Sequence, residues 1–95
     1  MKSFTTINSQ QSHRIAKRLL NHWKHKFDVT ETSTQLQIFM PTATVSLQPQ
    51  TDTLQVEIIF QSDEVDQTKL EQVVLEHLSR MGNETLDAVW QRVSC

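Results

Sequence analysis

The stretch LQIFMPTATVSLQPQTDTLQVEIIF, residues 36–60, decides the fold. Its hydrophobic period is two. Leu36, Ile38 and Met40 alternate with Gln35, Gln37 and Phe39, and Ala43, Val45 and Leu47 alternate with Thr44 and Ser46. Leu54, Val56, Ile58 and Phe60 then alternate with Gln55 and Glu57. Successive side chains of a strand point to opposite faces, so this pattern predicts an antiparallel sheet with one covered and one wet face. The links Pro41-Thr42 and Gln48 to Asp52 are short, which implies hairpins. Upstream, Phe27 and Val29 alternate with Asp28 and Thr30, joined to the next strand through Thr32 to Thr34. With one glycine in the chain, the turns must rely on Thr, Asn, Asp, Gln and Pro. The wet face is rich in Thr, Gln and Ser, with Phe39 its only ring, and is too polar to bury under a second layer.

Outward from this sheet the period changes. Phe4 to Ile7 reads as a first strand, and Asn8 or Ser9 can cap a helix from about Gln10 to Lys26. Ile15, Ala16, Leu19, Leu20 and Trp23 form one stripe at ~100° per residue. His22 lies at the edge of that stripe, while His25 and the lysines turn to water. A second helix is expected from about Glu64 to Met81, capped by Ser62 or Asp63 and stopped at Gly82-Asn83. Its face is Leu70, Val73, Val74, Leu78 and Met81, with His77 near the middle. The tail, with Leu86, Val89 and Trp90, reads equally as a short strand or a helical turn. The predicted class is a single α+β domain over residues 1–95. It has two layers, a curved antiparallel sheet with both helices on one face, in the order β-α-β-β-β-β-α. That layout is analogous to half of a TATA-binding protein.

Ninety-five residues suffice for one modest core, and 37% hydrophobic with 21% charged residues is ordinary for a globular chain. The single cysteine, Cys95, excludes a disulfide framework and suits a cytoplasmic setting. No signal peptide or membrane-length apolar run is present, so no membrane association is expected. A formal net charge of −2 argues against a nucleic-acid binder. Charge is uneven along the chain: Arg14, Lys17, Arg18, Lys24 and Lys26 carry no acid among them, whereas acids dominate from Asp52 to Asp87.

Several of these elements together resemble the bacterial family known as domain of unknown function 2218. They are Ser9 before a basic helix, His22-Trp23-Lys24-His25-Lys26 at its end, the hairpin Met40-Pro41-Thr42-Ala43, His77-Leu78-Ser79-Arg80, and Trp90. The resemblance runs from about Phe4 to Trp90. It implies a small stand-alone protein or a domain attached to siderophore-interacting flavoprotein reductases, and hence a link to iron. After His77-Leu78-Ser79-Arg80 the family pattern has an aromatic, charged segment, where this chain has Met81-Gly82-Asn83-Glu84-Thr85.

Chemistry concentrates on the histidines. His22 and His25, three apart on a helix, can present both rings to one side, and imidazole suits zinc, iron, nickel or copper. His77 is the candidate third ligand for such a metal or haem iron, although Lys24 and Lys26 oppose a bound cation. The plain alternative is a core histidine satisfied by hydrogen bonds. Between these, His22, His77 and Arg80, walled by Trp23 and Trp90, could line a pocket for an anionic ligand such as a siderophore or another iron chelate. Nothing places a Ser, Cys or carboxylate beside a histidine in catalytic spacing. The expected function is a non-catalytic, iron- or siderophore-linked binding domain, with a reductase as candidate partner. The alternatives are an interaction module without ligand and a small enzyme using histidine acid–base chemistry. An open sheet edge would also permit a homodimer.

Overall fold

The computed structural model describes residues 1–62 and 64–93. The expected cap Asp63 and the terminal Cys95 lie outside the described residues. The elements are β1 (Lys2–Asn8), α1 (Ser12–Trp23), β2 (Asp28–Glu31), β3 (Leu36–Phe39), β4 (Ala43–Pro49), β5 (Thr53–Phe60), α2 (Gln67–Gly82) and β6 (Gln91–Val93). All six strands form one antiparallel sheet in the order β2-β3-β4-β5-β1-β6. The α+β class and element order are those read from the sequence, and the undecided tail ends in a strand.

The chain enters at β1, crosses over the sheet as α1, and reappears at the far edge as β2. The meander β2 to β5 then returns to pair with β1. This path lays α1 across β3, β4 and β5. Its turns are built without glycine, as the composition required. Thr32 donates its amide to Gln35 O (2.8 Å), and its hydroxyl oxygen accepts the Gln35 amide (3.1 Å). Met40 donates its amide to Ala43 O (2.8 Å) across Pro41-Thr42.

The core is the inward parity of each strand set against both helices. Ile38, Val45, Leu47, Leu54, Val56 and Ile58 pack with Ile15, Ala16, Leu19, Val74 and Leu78. Burial of each Val, Leu or Ile side chain here contributes roughly 1.5–3 kcal/mol before chain entropy is subtracted. On β1 the inward parity is Ser3, Thr5 and Ile7, because they pair with Ile58, Val56 and Leu54. Phe4 therefore joins Phe39 on the open face, which carries two rings rather than the one expected.

Helix ends differ from expectation in detail. The Ser9 oxygen does accept the Gln11 amide (3.1 Å), but the helix starts later, at Ser12, with no side-chain cap on its own N-cap residue. Its C-terminal end is Trp23, after which the Lys26 and Phe27 amides both turn back to Trp23 O. For α2 the cap is Asp66, whose carboxylate accepts the Lys69 amide (3.0 Å); Ser62 instead accepts the Glu64 amide upstream (3.3 Å). At the other end Gly82 and Asn83 divide two tasks that one glycine often performs. Asn83 takes the left-handed conformation (φ 51°), and the Glu84 amide reaches Ser79 O (3.1 Å). Gly82 lies against α1: a Cβ there would stand 2.7 Å from Ile15 Cδ1 and 2.9 Å from Ile15 Cγ1.

Candidate functional site

The two helices run antiparallel and side by side. Gly82 meets Ile15. One turn along α1, Arg18 Nη1 donates to Met81 O (2.9 Å). A further turn on, His22 and Trp23 meet His77. The ring centroids of His22 and His77 are 5.7 Å apart and those of Trp23 and His77 4.9 Å, both tilted by about 45°. Trp23 is buried and also meets Phe27 edge-on at 6.2 Å. His22 is exposed and His77 half-buried, so the group forms a shelf at the surface with a buried indole as its floor.

The geometry fixes the His77 tautomer. Its Nδ1 lies 2.7 Å from Val73 O, and a carbonyl only accepts, so Nδ1 carries the proton and Nε2 the lone pair of the neutral ring. Among the described residues Nε2 has no protein partner, and no buried side-chain nitrogen or oxygen there lacks one. Nε2 therefore opens to solvent beside His22.

The other expected site residues lie elsewhere. His25 lines a shallow hollow with Lys24, Lys26, Phe27, Asp28, Phe39, Met40 and Pro41 at the edge of the sheet. Among the described residues no three His, Cys, Asp or Glu side chains are placed to hold one metal ion. Arg80 is exposed and opens on a separate hollow with Ser79, Asn83, Glu84 and Thr85. Trp90 packs half-buried against the core just before β6, the edge strand beside β1. The sequence thus brought His22, Trp23 and His77 to one place, and His25, Arg80 and Trp90 to three others.

Residues 5–91 match a family described as an uncharacterized protein conserved in bacteria, DUF2218. The chain belongs to the DUF2218 family. It is also similar to a solved structure, the NMR structure of PA4090 from Pseudomonas aeruginosa. The two share 29% identity over 95% of this chain and 94% of that one, with a TM-score of 0.75. No curated protein matches.

Among its described residues this DUF2218 chain carries one buried acid, Glu71, that the hydrophobic pattern did not mark. Its second helix is rolled relative to expectation: the buried line is Glu71, Val74, Leu78 and Gly82, and His77 sits on the flank toward α1 instead of at the centre. Glu71 is 5% exposed. Its carboxylate accepts the Ser3 hydroxyl (2.6 Å) and a two-pronged bond from Arg92, Nε at 3.1 Å and Nη2 at 3.0 Å. Burial pushes this carboxyl up, but the bonds from Arg92 and Ser3 and the Arg92 charge outweigh it and hold it below its ordinary value. The group ties β1, α2 and β6 together. A signal for it existed: Glu71 is i−3 and i−7 to Val74 and Leu78, and Ser3 shares the parity of Ile7.

Among the described residues no helix is long and apolar enough to cross a membrane.

Proposed function

We propose that this DUF2218 protein is a non-catalytic cytoplasmic binding domain whose site is the His22–Trp23–His77 shelf, taking an iron chelate of the siderophore kind. The observation that carries the reading is the meeting of two imidazoles over a tryptophan across two helices, with His77 Nε2 held outward by the Val73 bond. A bare ion would find two imidazoles here and no third ligand among the described residues. A chelate brings its own oxygen donors, and needs from the protein only hydrogen bonds, an aromatic floor and opposite charge. Arg14, Arg18, Lys24 and Lys26 of the basic helix and its exit supply the charge for an anionic chelate. Attachment to or docking on a siderophore-interacting reductase, the company implied by the family resemblance, would fit such a carrier.

The test is an absorbance and thermal-shift titration of metal-free protein with a ferric catecholate, ferrous and ferric iron, haem and zinc, repeated on His22→Ala and His77→Ala. The expected result is saturable one-site binding of the ferric catecholate that stabilises the fold by mass action. Each substitution should weaken it about tenfold or more while the unliganded melting temperature holds. Absence of saturable binding, or binding indifferent to both substitutions, would refute the reading.

A further inference from the structure

We propose that the open face of the sheet carries a second, separate ligand site, for a neutral polyhydroxylated molecule such as a short saccharide. The site is a groove of about 350 Å³ across β4, β5 and β1. Its outward side chains are Ser46 and Gln48, Gln55 and Glu57, and Lys2, Phe4 and Thr6. That volume falls within the usual range for small-molecule sites, ~300–1,000 Å³.

The chemistry of this lining is unusual for a face whose only duty is to stay wet. An exposed sheet face kept soluble by charge carries Lys and Glu. Here the register sets Thr30, Gln37, Ser46, Glu57, Phe4 and Gln91 in one row across the sheet, with Gln48, Gln55 and Thr6 in the next. The groove's two charges cancel, since Lys2 Nζ lies 3.4 Å from Glu57 Oε2. Ser46, outward but covered by its neighbours, accepts a hydrogen bond from the side-chain Nε2 of Gln35. Among the described residues the side chains of Gln48, Gln55 and Thr6 make no hydrogen bond within the protein, and all three are exposed.

Each competing ligand class fits this lining badly. An anion or a cation would need an unpaired opposite charge, and the groove's charges are paired. A purely apolar molecule would strip water from two amides and a hydroxyl and give nothing in return. Sugar hydroxyls both donate and accept, so they match amides that do the same. The C–H face of the sugar ring can lie on Phe4, the half-buried aromatic that points into the groove.

The test is a heteronuclear NMR titration of the whole chain with maltotriose, cellotriose and the trimer of N-acetylglucosamine. At least one sugar should give saturable amide shifts confined to β1, β4 and β5. Gln55→Lys, an exposed change that leaves the core untouched, should weaken that binding about tenfold, and Phe4→Ala should do the same. No saturable shift on those strands with any of the three sugars would overturn the proposal. So would binding that Gln55→Lys leaves unchanged, or shifts confined to the His22–His77 shelf.

Discussion

Gly82→Ala is the sharpest test of how the two helices are held. The new Cβ would stand 2.7 Å and 2.9 Å from Ile15 Cδ1 and Cγ1, where ordinary contact begins at 3.4 Å. To reach ordinary contact Cδ1 must retreat by about 0.7 Å and Cγ1 by about 0.5 Å, yet Ile15 is fully buried and β-branched, with one strongly preferred χ1, which fixes Cγ1, in a helix. Either α1 lifts off α2 or the side chain strains, and overpacking of this kind costs ~1–3 kcal/mol. Alanine recovers some of this through helix propensity, at most ~1 kcal/mol and less at a last helical residue. A net loss of about 1–2 kcal/mol is expected, read as a drop in thermal midpoint of roughly 5–10 °C for a chain this size. Ile15→Val removes the colliding Cδ1 at its own cost of ~0.5–1.5 kcal/mol. The double variant should then lose less than the two single losses summed, by about 1 kcal/mol. Urea and thermal unfolding followed by circular dichroism would measure all four proteins. A neutral or stabilising Gly82→Ala, or strictly additive losses, would refute the close-approach argument. The same spacing sets the distance between His22 and His77, so the single variant should also weaken any ligand held there.

The Glu71 clamp makes a prediction about sign. Its folded-state value lies below the ordinary 4.5, so its contribution is complete at neutral pH and is lost as pH falls below 4.5 through the folded-state value. In Arg92→Ala burial should dominate and raise Glu71 instead, so the variant, destabilised at neutral pH, should recover stability as pH falls toward 4.5. Urea midpoints across that range check it, and parallel profiles for the two proteins would count against the clamp. At the end of α2, Asn83→Ala should cost ~1 kcal/mol because alanine lacks the short polar side chain that makes the left-handed backbone accessible to asparagine. Asn83→Gly should stay within ~0.5 kcal/mol of the parent. Equal stability of the two would mean that the conformation at 83 is not the constraint.

By itself the sequence determined the sheet, the helices and their order. Alternation over residues 36–60 has only one physical solution, a one-sided sheet, and the short links left no length for anything but hairpins. The stripe Ile15, Ala16, Leu19, Leu20 and Trp23 likewise fixed which side of α1 faces inward, and that placed Trp23 in the core with His22 at its rim. Only the tertiary structure decided where β1 goes, between β5 and β6, because strand order depends on contacts distant in sequence. It decided the roll of α2 as well. Leu70, Val73 and Met81 are spent partly against neighbouring elements, so the hydrophobic average pointed some way off the line that faces the sheet, and it hid Glu71 while centring His77. A buried acid is legible only together with its partners, and Ser3 and Arg92 are 68 and 21 residues away. The pairing of His22 with His77 was half legible: each ring's place on its own helix could be read. That the helices pack side by side, with Gly82 against Ile15 and the two rings together, depends on contacts between segments distant in sequence, which no local pattern records.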